Sequence, residues 1–66
     1  MLILLNGESR ETESGADLAR VLAEAGMPER GIAVAVDGEV VPRASWPQHT
    51  LADGARVEVL TAVQGG

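Results

Sequence analysis

The sequence closes on Gly65-Gly66, and the group it offers for chemistry there is the carboxylate of Gly66 rather than a side chain. Elsewhere chemistry-bearing residues are sparse. Cys is absent, so thiol nucleophiles, disulfides and thiolate metal sites are excluded. His49 is the single His and has no second ligand of its kind, which argues against a metal site or a general base. There is no Lys; all five basic residues are Arg. If Gly66 is activated as an acyl donor, the amine on this chain that could capture it is the N-terminus. No catalytic residue and no metal are expected on the chain itself.

With 66 residues there is room for one domain and no more. A chain this short buries only about 60% of its unfolded surface. A walled catalytic cleft beside a core does not fit, which favours a carrier, adaptor or modifier over an enzyme. The formal net charge is −5. Such a surface repels phosphate backbones, so nucleic acid is not an expected partner, and docking on a basic protein surface is. A small secreted domain usually needs disulfide staples, so a cytoplasmic location is expected. No signal peptide is read, and no apolar run is long enough to span a membrane, so no membrane partner is expected.

The patterning predicts the elements that carry the tail. Met1 to Leu5 is a continuous apolar run and reads as a buried strand. Asn6-Gly7 is a tight hairpin signal, because both residues tolerate positive φ. Glu8 to Glu13 reads as a weak, solvated second strand. Ser14 is expected to cap a helix, with Asp17 reaching back to it. Asp17 also suits the positive end of the helix dipole. Leu18, Val21, Leu22 and Ala25 form one apolar stripe, with Arg20 and Glu24 opposite. Gly26 and Pro28 end the helix.

Ile32 to Val36 is the next strand, with Ile32, Val34 and Val36 on one face and Ala33 and Ala35 on the other. Small residues on that second face predict a close approach. Asp37-Gly38 turns into a short return strand at Val40-Val41, which Pro42 stops. Arg43 to Thr50 is irregular, with one helical turn near Ser45-Trp46-Pro47 and Trp46 as a loop anchor. Arg43 is expected to pair with an acidic neighbour. Asp53-Gly54 turns into a last strand, Arg56 to Val63, with Val57 and Val59 facing the core.

A hairpin, a crossover helix and further strands predict an α+β fold of the β-grasp, ubiquitin-like kind. It is a mixed sheet of about four to five strands with one main helix on one face. The crossover rule predicts the strand after the helix to run parallel to the first. The last strand is expected in the centre beside the first. The domain is assigned to 1–63, with 64–66 a flexible tail.

These residues carry a resemblance. The opening strand into Asn6-Gly7, the segment Val40-Val41-Pro42-Arg43-Ala44-Ser45-Trp46, Leu51-Ala52-Asp53-Gly54, Val57-Glu58-Val59-Leu60 and the Gly65-Gly66 end all contribute to it. Together they make the chain similar, over its whole length, to the thiamine-pathway sulfur carriers, a ubiquitin-like β-grasp family. One departure is Ala55, where relatives often carry an acidic residue after the Asp-Gly turn.

The resemblance implies a reaction sequence. A ubiquitin-activating-type adenylyltransferase uses ATP to adenylate the Gly66 carboxylate. A sulfur donor such as a cysteine desulfurase supplies the atom that converts the adenylate to a thiocarboxylate. That sulfur passes to a thiazole synthase. ATP belongs to the activating partner, and no cofactor is expected on this chain.

Gly65 and Gln64 are the expected threading residues, because glycine lacks the Cβ that would block a narrow channel. Leu60 and Ala62, sharing a face with Glu58, are the expected docking patch. Glu58 and Asp53 would complement a basic partner. Rival readings are a sister carrier for molybdopterin or tRNA thiolation, a ubiquitin-like protein modifier, and a small regulatory or RNA-associated β-grasp module. Molybdopterin carriers tend to be longer, and the acidic charge disfavours the last.

Overall fold

A computed structural model describes residues 1–61. It contains strand β1 (Leu2–Leu5), strand β2 (Glu8–Glu11), helix α1 (Leu18–Glu24), strand β3 (Ile32–Val36), strand β4 (Glu39–Val40), a 3-10 helix (Arg43–Gln48) and strand β5 (Arg56–Thr61). The five strands form one sheet in the order β2-β1-β5-β3-β4. This is the β-grasp arrangement, with β5 central and parallel to β1.

The hairpin turns form where the residue types require them. Asn6 and Asp37 both adopt positive φ, at 51° each, which their short polar side chains tolerate. Leu5 therefore pairs directly with Glu8, and Val36 with Glu39.

Several expectations need correction. The run Met1 to Leu5 is not buried throughout: Ile3 and Leu5 are buried, Leu4 is half-buried and Leu2 is exposed. The pleat sends alternate side chains to opposite faces, and only one face is covered. The second strand is shorter than the expected Glu8 to Glu13, ending at Glu11.

Ser14 does not begin the helix. Gly15 adopts φ 82°, which breaks any right-handed turn there. Asp17 is the N-cap instead, its Oδ1 accepting from the Arg20 N–H at 2.8 Å. The C-terminal end follows expectation. Gly26, at φ 74°, donates to the Ala23 carbonyl while Met27 donates to that of Leu22, both at 3.0 Å. These two bonds make a Schellman cap.

The direction of β3 also differs from expectation. It is antiparallel to β5 and hence to β1. The crossover through α1 starts from β2, which already runs opposite to β1, so β2 and β3 are the strands it leaves parallel. The return strand is Glu39–Val40, not Val40-Val41. Val41 turns into the core, and its N–H donates to the Val34 carbonyl at 2.8 Å. The helical turn expected near Trp46 is a longer 3-10 segment from Arg43 to Gln48 that includes Pro47.

Packing explains why α1 holds with only seven residues. A helix this short is not stable alone and depends on its buried face. Leu18, Val21 and Leu22 lie against Ile3, Leu5, Val34, Val57 and Val59 of the sheet. Trp46 closes one side of this core, its Nε1 donating to the Val41 carbonyl at 2.9 Å. The Leu18 N–H donates to His49 O, and Leu51 N–H to Ala16 O, joining the helix start to the loop before β5. On the solvent side Arg20 contacts Glu13 and Glu24. The hydrogen bond that Arg20 donates to Glu24, then the charges of Glu13 and Glu24, raise its pKa.

Candidate functional site

β5 delivers the chain toward Gly66, so the site is built outward from this strand. Its residues alternate strictly. Val57 and Val59 are buried under α1, as expected, while Arg56, Glu58 and Leu60 face out. Leu60 is 70% exposed, a large apolar side chain left in water immediately before the end of the described strand.

Register shows what surrounds it. Leu60 lies opposite Ala33, and Glu58 opposite Ala35, which in turn pairs with Val40. Val40 is 75% exposed. Ala33, Ala35, Val40, Glu58 and Leu60 line a shallow hollow of about 120 Å³ on the uncovered face of the sheet. The small side chains of Ala33 and Ala35 form its floor. The close approach expected over these alanines is not made by the described residues of this chain: Ala33 is exposed and Ala35 half-buried.

The structure therefore brings Leu60 and Glu58 together as expected, and adds Val40, Ala33 and Ala35. The alternation of Ile32 to Val36 carried the signal for the two alanines. Nothing local in the sequence placed Val40 beside them, because that needs the β3–β4 register. Ala62, Gln64, Gly65 and Gly66 lie outside the described residues.

Asn6 has a role beyond its turn. Its Oδ1 accepts from the Val59 N–H at 2.8 Å, and its own N–H donates to the Val57 carbonyl at 2.9 Å. The turn between β1 and β2 thus grips β5 two residues before its described end. Sequence reasoning missed this, because hairpin chemistry alone accounts for Asn-Gly.

Other singled-out residues have structural partners. Asp53 Oδ1 accepts from the Leu2 N–H at 2.8 Å. Arg43 stands 3.8 Å from Glu29, the expected acidic pairing, with both side chains largely in water. Arg43 also borders a second hollow of about 440 Å³ between α1 and the 3-10 helix, lined by Leu22, Met27, Trp46 and Pro47. It lies on the covered side of the sheet, away from Leu60. His49 is half-buried. Among the described residues no group of three or more His, Cys, Asp or Glu is placed to hold a metal ion. No helix there is long and apolar enough to cross a membrane.

Comparison with known proteins agrees with this architecture. The ThiS family profile matches residues 3–66. The sulfur carrier protein ThiS of Thermus thermophilus is 40% identical over 65 residues, covering 98% of this chain and all of that one. A thiazole synthase of Paramagnetospirillum magneticum is 32% identical over 66 residues; the match takes in the whole of this chain but only 20% of that longer protein. The crystal structure of a thiamine biosynthesis protein (ThiS) from Geobacter metallireducens superposes with a TM-score of 0.86 at 25% identity, with both chains fully covered. On the family match, the relatives and the fold, this chain belongs to the ThiS family.

Proposed function

We propose that this protein is the sulfur carrier for the thiazole moiety of thiamine, acting as a protein-bound substrate of other enzymes. The Gly66 carboxylate attacks the α-phosphorus of ATP on an adenylating partner, releasing pyrophosphate. The terminal sulfur of a donor persulfide, of the kind a cysteine desulfurase forms, then displaces AMP, and a thiol reduces the resulting acyl disulfide, leaving as a disulfide and freeing the thiocarboxylate. The C–O bond to the phosphate breaks, a C–S bond forms, and the thiocarboxylate is a soft nucleophile for a thiazole synthase. The reading places the reaction in the cytoplasm, in keeping with a small domain that has no Cys.

The observation that carries this reading is the family match, which runs through residue 66 and so includes Gly65-Gly66. The thiazole synthase that contains a segment similar to this whole chain favours thiazole formation over molybdopterin or tRNA thiolation. Five residues separate Thr61 from Gly66 inclusive of the last. Even fully extended they reach only about 17 Å, so the partner's active site must come that close to the end of β5. The uncovered face around Leu60 is then the surface the partner meets first, with Ala62 next along the chain and Glu58 contributing to encounter rate more than to affinity.

The test is intact mass of the protein from thiamine-starved cells under non-reducing conditions. One oxygen-to-sulfur replacement, located on Gly66 by fragmentation, is expected. Deleting Gly66 should abolish the modification and leave the melting temperature within about 2–4 °C, since surface changes alter stability by about 0.5 kcal/mol or less. Activation of the truncated chain by ATP would overturn the reading. Larger species on a denaturing gel would favour a protein modifier instead.

A further inference from the structure

β5 is paired along one side for its whole described length, but along the other only at its start. β3 pairs with it from Val57 to Thr61. β1 pairs with Arg56 and Val57 and then leaves through the Asn6 turn. Backbone groups in a strand alternate between its two sides. The two bonds made by Asn6, to the Val57 carbonyl and from the Val59 N–H, fix odd-numbered residues as the ones facing β1's lane. Past Asn6, the Val59 carbonyl and the Thr61 N–H point into that lane. Among the described residues β1 pairs with β5 only at Arg56 and Val57, so its ladder does not extend to either of them.

The lane is open. A Cβ built on Gly7 would meet nothing within 4 Å. A hollow of about 390 Å³ lies beside it, lined by Leu4, Asn6, Gly7, Arg56, Glu58 and Leu60.

The two outer edges of the sheet are treated differently. β2 presents Glu8, Arg10 and Glu11, all exposed, and charged side chains along an edge resist strand addition. β4 has two residues and is followed by Pro42, which cannot extend a ladder. The half-edge at Val59–Thr61 carries neither a charge nor a proline, and it leads directly to the residues that a partner must take in.

We propose that an extended backbone segment of the adenylating partner adds to the sheet in the lane that β1 vacates, pairing with the Val59 carbonyl and the Thr61 N–H. Strand addition of this kind supplies affinity through main-chain bonds. It also fixes the direction in which the chain leaves β5, with Asn6 acting as the stop that sets where the partner strand begins. The inference rests on the carrier reading above, because it assumes a partner that receives the tail.

The experiment replaces the Thr61 amide by an ester, using semisynthesis, and measures affinity for the source organism's ubiquitin-activating-type adenylyltransferase. Loss of one N–H should weaken binding about 2- to 12-fold. The same replacement at Leu51, whose N–H donates to the Ala16 carbonyl away from this face, should lower the melting temperature and leave affinity unchanged. Hydrogen exchange of the Thr61 amide should slow in the complex. Unchanged affinity of the Thr61 ester, while ATP-dependent activation of Gly66 proceeds, overturns the added strand and leaves the carrier function standing. Absence of activation in the unmodified protein overturns the carrier function itself. Slowed Thr61 exchange in the free protein as its concentration rises would give the lane to a second copy of this chain, and would also overturn the proposal.

Discussion

Val57 and Leu60 are three residues apart on the same strand and occupy opposite surroundings. Val57 is 1% exposed beneath α1, while Leu60 is 70% exposed on the other face. The covered face holds Ile3, Leu5, Val34, Val36, Val57 and Val59; the open face holds Leu2, Ala33, Val40, Glu58 and Leu60. In a 66-residue chain with a small core, leaving three large apolar residues in water, Leu2, Val40 and Leu60, needs a reason other than stability. The difference teaches that stability is assigned to one face of the sheet, which leaves the other free for the recognition proposed above. The two should therefore be separable by mutation.

The largest effect should fall on the covered face. Leu18 is fully buried at the centre of the helix-sheet contact. Leu18→Ala removes its transfer energy and leaves a cavity, at a cost of about 2–5 kcal/mol. Total stability for a domain of this length is roughly 3–10 kcal/mol, so the loss takes a large share of it. Leu60→Ala, the same change on the open face, should stay within about 0.5 kcal/mol. Urea denaturation of the two variants measures the contrast, and equal losses would break it.

Next comes recognition. Leu60→Arg places a charge in the hollow floored by Ala33 and Ala35. It should weaken binding to the adenylating partner by about 2 kcal/mol, roughly 30-fold, as expected for a buried interface anchor. The melting temperature should not move. Isothermal titration decides this, and unaltered affinity would remove Leu60 from the docking surface.

How much of this division was legible beforehand depends on the range of the interactions. The alternation of Val57, Glu58, Val59 and Leu60 is a period-two signal carried by adjacent residues, and it located both faces of β5. The tight turns at Asn6 and Asp37 were legible because the residue types tolerate their backbone angles. The helix start was not, because Ser14 and Asp17 are both competent caps and the outcome rests on Gly15 at positive φ. The direction of β3 was misread by counting the crossover from β1 instead of β2. Val40 and the second role of Asn6 depend on contacts across the sheet, the latter 53 positions apart in sequence, which no local pattern encodes.

Asn6 joins the two regions, so it sharpens the comparison. Asn6→Ala removes the acceptor of the Val59 N–H and puts Ala at φ 51°. The site is part-buried, and the expected cost is about 1 kcal/mol. Asn6→Asp retains an acceptor and tolerates the left-handed angle, so it should recover most of that loss. Amide exchange at Val59 should quicken in the alanine variant alone. Equal exchange in both variants would reduce Asn6 to a turn residue.

The smallest effect tests the covered side from outside. Arg43 and Glu29 stand 3.8 Å apart with side chains 55% and 88% exposed, so water screens them and both keep their freedom. Arg43→Gln should change stability by less than about 0.5 kcal/mol. Because Arg43 lies beside α1 and the 3-10 helix, across the sheet from Leu60, it should leave partner affinity unchanged as well. That second expectation carries the weight. If Arg43→Gln weakens binding while its melting temperature holds, the partner also grips the hollow beside Trp46. Recognition would then wrap around the domain, and the two faces of the sheet would no longer divide the work between them.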